Sequence, residues 1–396
     1  MLEAGWHLRP VTRDPPPCLL HCRPNAQGQG AHDGRDILII SRTPFRLSLF
    51  GGGTDYPAWY LEHGGAVVGS AIDKYCYLSC RYLPPFFEHR FRVVYSKIEN
   101  CQTIDEIGHP AVRAVLRFLE VERGLEIHHD GDLPARSGVG SSSAFTVGLL
   151  NAVHALHGRM RSQRQLADEG LQIEQEALRE AVGSQDQVFA ACGGLNHLVF
   201  HPGGGFTVRP LTLPKERVEA LESRLMLFYT GISRTASRIA QSWLPDIASR
   251  GELLGSTQQL VDEALSVLCG KGDLSALGRL LDTGWQLKRR LGQSVSNGDV
   301  DAMYAAARTA GALGGKLTGA GGGGFLLLFV PDGLEDAVRD ALRGLLHVPF
   351  RLEAPGSQIV FYDVEQDYLD QERRRAAVPL RAFREEDPVP PSSDPR

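Results

Sequence analysis

Asp132 to Leu156 reads DLPARSGVGSSSAFTVGLLNAVHAL, a polar turn of glycine and serine that runs straight into a long apolar segment. Gly138 and Gly140 let the backbone approach a ligand closely, and a helix that begins just after them aims free N–H groups and its positive dipole end into the same space. The expected ligand is an anion. The turn lacks the Gly-Lys-Ser/Thr ending of a P-loop NTPase, so phosphate held here is held without that motif's lysine. Ala144, Phe145, Val147, Leu149, Leu150, Val153 and Leu156 supply the apolar helix that follows.

Before this turn the chain is strand-like: DILII, FRLSLF, GAVVGSAI, YCYLSCRYL and FRVVYS are rich in β-branched and aromatic residues and bounded by turn formers. After it, RQLADEGLQIEQEALREAV reads as a second, amphipathic helix, and LNHLVF, FTVRPLTL and RLMLFYT return to strands. From Thr235 helices dominate until GGFLLLFVPD, and the strands FRLEA and SQIVFYDV close the ordered chain. Strands gathered early and helices later predict an α+β protein in two domains, residues 36–214 and 222–365, joined near residues 214–224. Residues 1–35 and 371–396 are rich in proline and charge and show no period, so both are expected to be disordered tails.

With 396 residues, 42% hydrophobic and 22% charged, and a formal net charge of -5, the composition is that of an ordinary soluble enzyme or small-molecule binder. No basic stripe points to nucleic acid, and no apolar segment approaches the roughly 20 residues of a membrane span. Seven cysteines, an odd number without a secretory signal, favour reduced thiols in the cytoplasm. Cys76 and Cys80 share one face of a strand, where two small buried hydrophobes are expected before a metal pair. The oligomeric state is not written in the sequence.

Three glycine-rich segments stand out: RTPFRLSLFGGGTDYP (42–57), the opening turn, and GGKLTGAGGGGF (314–325), whose glycines predict close backbone packing beside a ligand. Glu174 lies on the amphipathic helix and Asp186 just past its end, in VGSQDQ. A divalent ion on ATP needs hard oxygen ligands, one carboxylate plus a hydroxyl with phosphate and water completing the shell, which Ser142 and Glu174 would offer. A carboxylate near an acceptor hydroxyl positions it and takes its proton, and Asp186 with Arg46 as its cation is the pair that suits. Each residue also has a plainer reading: Ser141 and Ser142 as helix caps, Glu174 as a charge on a solvated face, Asp186 as a turn cap.

In this order and combination RTPFRLSLFGGGTDYP, LPARSGVGSSSAFTVGLLNA, IEQEALREAVGSQDQ and GGKLTGAGGGGF resemble the motifs of the GHMP superfamily of small-molecule kinases, over about residues 37–364. Within it, FGGGTDYP, YTGISRTA and SVSNGDVDAMYAAARTAGALGGKLTGAGGGGF look most like the heptose 7-phosphate kinases, with L-fucose kinases next. The resemblance implies a GHMP kinase N-terminal ATP-binding domain with a left-handed βαβ crossover and a ferredoxin-like C-terminal domain. It implies ATP, Mg²⁺ and a sugar phosphate as ligands, with Pro134, Arg136, Ser137, Gly138, Val139, Gly140, Ser141, Ser142 and Ser143 around the phosphates. Ser142 and Glu174 would hold Mg²⁺, Asp186 would be the base beside Arg46, and Gly53, Thr54, Asp55, Arg234, Gly319, Ala320, Gly321 and Gly322 would face the acceptor. Arg234, Lys288 and Lys316 are the candidates for the acceptor's own phosphate. Arg136, Val139 and Ser143 depart from the family's loop, which has glycine, leucine and alanine there. The function implied is phosphorylation of the anomeric hydroxyl of a heptose 7-phosphate, with a free-sugar kinase or a non-catalytic sensor of the same fold as alternatives.

Overall fold

A computed structural model describes residues 36–232, 236–365 and 368–377. The expected disordered extension, residues 1–35, lies outside them. The expected tail from residue 371 does not begin there: Leu369–Ala377 is a helix, tied to the body by Arg123 and Glu372 at 3.1 Å. Its residues are mostly good helix formers, with Asp370 and Glu372 in the first turn where the helix dipole favours negative charge.

Two strands carry the N-terminal lobe, β1 (Asp36–Phe50) and β2 (Gly65–Tyr82), paired antiparallel along most of their length. The runs read from sequence as GAVVGSAI and YCYLSCRYL are one strand. Its first half is buried on both faces and its second half alternates, so Cys76 and Cys80 lie inward, and burial pushes both thiols up. β3 (Phe91–Val94), β4 (Ile98–Cys101) and β5 (Leu125–Gly131) extend the sheet on one side. The β3–β5 pair is parallel, its connection running through β4 and a helix whose first turn holds Pro110. β6 (Leu195–Phe200) joins the first half of β2, and β7 (Phe206–Pro210) joins β6.

Against β1 and β2 lies the expected apolar helix, α1 (Ser141–Leu156), buried over most of its surface, with Gly148 pressed so closely that Ser41 Oγ donates to its carbonyl at 2.9 Å. The second expected helix is interrupted. α2 (Gln163–Leu171) starts on a capping box, Ser162 with Gln165, then widens into a π-helical stretch over Gln172–Ala177 and ends near Leu178. α3 (Gln185–Cys192) follows, with Asp186 in its first turn.

β8 (Leu225–Tyr229), β9 (Gly314–Leu317), β10 (Phe325–Phe329) and β11 (Leu346–His347) form the second sheet in the order β11-β8-β10-β9, all antiparallel. Counted within this lobe the order is 4-1-3-2, with helices between the first and second and between the third and fourth strands, which is the ferredoxin-like arrangement. The unbroken apolar run FLLLF is explained by burial of both faces. Phe325, Leu327 and Phe329 join the core shared with the first sheet, while Leu326 and Leu328 join a second core with Trp243, Trp285 and Tyr304.

One boundary differs from expectation. β12 (Gln358–Glu365) does not close the C-terminal domain; it pairs with β1, from Asp36 with Glu365 to Arg42 with Gln358, and so returns to the N-terminal lobe. Without it this edge of β1 would present a row of unpaired backbone groups. FRLEA is not a strand either, contributing a single bridge between Leu352 and Ile72.

Candidate active site

β12 stops at Arg42, and beyond that point the opening turn takes up the free edge of β1: Arg46 N donates to Val139 O at 2.9 Å. This fixes Arg46 at 4% exposure beside the loop. Its guanidinium donates through Nε and Nη2 to the two oxygens of Asp186, both at 2.7 Å, and through Nη1 to Gly138 O at 2.7 Å. A forked pair of this kind sets direction as well as energy. Asp186 keeps 26% of its side chain exposed, so the carboxylate is aimed by a buried arginine and open on its other side.

The serines of the turn are not helix caps. Gly140 is the N-cap of α1, left-handed at φ 75°, and no side chain caps the helix; Ser141 Oγ instead accepts from Arg136 N at 3.2 Å. The first N–H groups of α1 are therefore left for an incoming anion. Gly140 also touches the Arg46–Asp186 pair, since a Cβ there would stand 3.1 Å from Arg46 Cγ and 3.6 Å from Asp186 Cγ. Gly140→Val should lose about 1–2 kcal/mol or more of stability from the left-handed backbone and weaken nucleotide binding together with turnover. A melting curve and a nucleotide titration check this; unchanged ATP affinity would remove the turn from the nucleotide site.

The third glycine segment packs on this turn. A Cβ on Gly138 would meet Thr318 O at 2.6 Å, and one on Gly324 would meet Ser137 O at 2.1 Å. Gly319 faces Gly138 in the same way, whereas Gly321 and Gly322 lean on Val295, with Gly322 N donating to Val295 O at 2.7 Å. Ala320 is half-buried between them. These glycines serve the approach of two loops from the two lobes.

Asp55 is buried, and its oxygens accept from Gly53 N at 2.9 Å and Gln185 Nε2 at 2.9 Å, while Asp55 O accepts from Ser184 N at 2.9 Å. Burial raises its pKa, and the nearby charge of Asp186 adds to the rise. Thr54 spends its hydroxyl on Gly51 O and Ala66 O. In the ligand-free chain this turn holds the segment that carries Asp186.

Glu174 is fully buried at the π-helical stretch, a distortion frequent at functional sites. Its Oε2 accepts from Ser143 Oγ at 2.9 Å and Gln187 Nε2 at 2.5 Å, and its Oε1 has no partner. Burial pushes its pKa up to about 8. In the ligand-free chain the hydroxyl bonded to Glu174 is thus Ser143's. Ser143 shares the inward face of α1 with Val147 and Leu150, while Ser142, one residue back, is exposed. An orphaned buried carboxylate oxygen suits a hard cation. Among the described residues no three acidic, histidine or cysteine side chains cluster as a metal cage, so phosphate and water would complete the shell.

The sequence pattern of the GHMP kinases N terminal domain matches residues 108–194, which contain the turn, Glu174 and Asp186, and that of the GHMP kinases C terminal domain matches residues 263–347. The chain thus carries both the N-terminal and the C-terminal domain pattern of the GHMP kinases. It is similar to the D-glycero-alpha-D-manno-heptose 7-phosphate kinase of Campylobacter jejuni, at 28% identity over 77% of this chain and 93% of that one. It is also similar to the L-fucokinase/L-fucose-1-P guanylyltransferase of Bacteroides fragilis, at 26% identity over 75% of this chain and 35% of that one. The solved D-glycero-D-manno-heptose 1-phosphate kinase of Bacteroides thetaiotaomicron shares the fold, with TM-score 0.67 and 23% identity over 82% of this chain and 99% of that one.

The lysines proposed for the acceptor's phosphate are already engaged. The ammonium of Lys288 donates to Leu317 O at 2.8 Å and Gly319 O at 2.5 Å, bracing the third glycine segment. Lys316 is buried and donates to Leu49 O at 3.0 Å. Arg234 lies outside the described residues. Gln185, Gln187 and Ser143, which hold the two acidic residues, were not singled out as partners from sequence; SQDQ, with its two glutamines flanking Asp186, was the available signal. Among the described residues no helix is long and apolar enough to cross a membrane.

Proposed function

We propose that this ATP-dependent GHMP kinase phosphorylates the anomeric hydroxyl of a heptose 7-phosphate, D-glycero-D-manno-heptose 7-phosphate, to give the 1,7-bisphosphate in the cytoplasm. The observation that carries the chemistry is Arg46, one buried guanidinium that grips both oxygens of Asp186 and the carbonyl of Gly138. It holds the base and the phosphate turn in one frame. Asp186 orients the acceptor hydroxyl and takes its proton as the acceptor oxygen bonds the γ-phosphorus and the bond to the β–γ bridging oxygen breaks; ADP leaves. The uncapped N-terminus of α1 faces the phosphates. Glu174 and the exposed hydroxyl of Ser142 are the groups that would hold Mg²⁺, which when bound neutralises phosphate charge. Gly53, Asp55 and the 319–322 segment form the acceptor side.

The choice of sugar is supported by the likeness to the heptose 7-phosphate kinase along nearly the whole of that relative. The likeness to the fucokinase supports the second reading, a free-sugar 1-kinase. With Lys288 and Lys316 bound to backbone carbonyls, Arg234 in GISRTA is the remaining candidate for the acceptor's phosphate. Assay of ADP release over a panel of sugars and sugar phosphates, with phosphorus NMR of the product, decides between them. The heptose 7-phosphate should give the highest kcat/KM and a new anomeric phosphate signal. A free sugar used as efficiently as any sugar phosphate would replace this reading with the second one.

A further inference from the structure

β9 is an edge strand of the C-terminal sheet, yet its Lys316 points away from solvent and crosses to the other lobe, where its ammonium donates to Leu49 O near the end of β1. The charges that act on it come from β1 and the turn after β1. Arg46 opposes its positive charge and Asp55 favours it, while the buried surroundings disfavour it. Asp186, gripped by Arg46, adds its own charge to the surroundings of Asp55. The four groups sum to zero when all are charged. Three of the five N–H donors of Arg46 go to Asp186 and Gly138 O, and its guanidinium is turned to those partners and not to Asp55. Asp55 itself accepts only from neutral donors, Gly53 and Gln185. A buried carboxylate supported by neutral donors alone is costly, and a cation nearby offsets that cost.

We propose that Lys316 is a positioning residue of the kinase: its ammonium ties β9 to the end of β1 and supplies the counter-charge of Asp55, so that the 183–186 segment resting on Asp55 keeps Asp186 aimed at the acceptor. This inference rests on the reading of Asp186 as base and assigns Lys316 away from the acceptor's phosphate. The same lysine couples the lobes, because the strand it leaves continues into the Gly319 segment that packs on the phosphate turn. Burial lowers its pKa to about 7 in the ligand-free chain. Its charge is present below that value and lost above it, whereas an arginine would stay charged throughout.

Lys316→Met and Lys316→Arg test this against wild type. Lys316→Met should lower kcat on the order of ten- to a hundredfold, the scale of a misplaced catalytic group, with KM for ATP changed by less than about threefold. Lys316→Arg should recover most of kcat and extend activity to higher pH than wild type, a shift that loss of packing alone would not produce. A second readout needs no substrate. A lysine whose folded pKa is depressed makes the fold more stable as pH rises from about 7 towards 10.5, so the melting temperature of Lys316→Met should lack the relative gain that wild type shows over that range. Wild type that phosphorylates no sugar would defeat the functional reading while leaving the melting comparison intact. Wild-type kcat in Lys316→Met, a Lys316→Arg enzyme as slow as Lys316→Met, or a Lys316→Arg pH profile superimposed on wild type would each overturn the role of Lys316.

Discussion

Asp186→Asn should lower turnover by about 10²–10⁴-fold, the usual contribution of a general base, while nucleotide affinity is kept. The side chain is nearly unchanged in shape, and one oxygen remains for Arg46. Its new NH₂ faces a guanidinium nitrogen that also donates, so one of the two 2.7 Å bonds is lost. The remaining arm of Arg46 still holds Gly138 O, and the turn keeps its place on β1 through Arg46 N and Val139 O. For these reasons the phosphate site survives a change that removes the proton acceptor. Steady-state ADP release and a separate nucleotide titration distinguish the two effects. Activity within a few-fold of wild type would mean that positioning alone carries the transfer and that Asp186 only anchors Arg46.

How far the sequence could lead depended on the range of each interaction. α1 was legible because its signal is local: a glycine-serine turn, then a largely apolar run from Ala144 to Leu156. The ferredoxin-like order was legible through resemblance, which stores long-range pairing that periodicity does not. What escaped was phase and distance. Ser142 and Ser143 differ by about 100° around a helix, and only the true start of α1 decides which one turns towards Glu174. Lys288 sat between two arginine neighbours and a leucine in sequence, yet it is one turn from buried Trp285 and on the same face, so its ammonium reaches the loop carbonyls. β12 reads as an ordinary terminal strand, and nothing within it says that its partner lies more than three hundred residues earlier. The π-helical widening at Glu174 has no compositional mark at all.

Glu174→Gln should separate the cost of a buried carboxylate from its use. In the ligand-free chain the folded carboxyl titrates at about 8 against 4.5 for the free group, so between those values the folded state holds the proton that the unfolded state has released. Stability from this group is present at low pH and falls as pH rises from about 4.5 to 8, because the fold then keeps a proton that the unfolded chain gives up, its buried oxygen without a partner resisting ionisation. The amide has no proton to lose. Glu174→Gln should therefore melt higher than wild type above neutral pH, by a margin on the order of a few kcal/mol, with the two curves converging towards pH 4.5. Activity should move the other way. A cation ligand must be ionised, so in wild type Mg²⁺ affinity should strengthen as pH approaches 8, and in Glu174→Gln it should be weak and indifferent to pH, with turnover depressed accordingly. Paired melts with and without MgATP across this range give both readouts from one protein preparation. A variant that is more stable when empty and less active when supplied with Mg²⁺ fits a site whose unfavourable burial is offset by the ion it binds. If the melting curves run parallel and Mg²⁺ titrates as in wild type, Glu174 is a structural acid held by Ser143 and Gln187, and the metal site lies elsewhere.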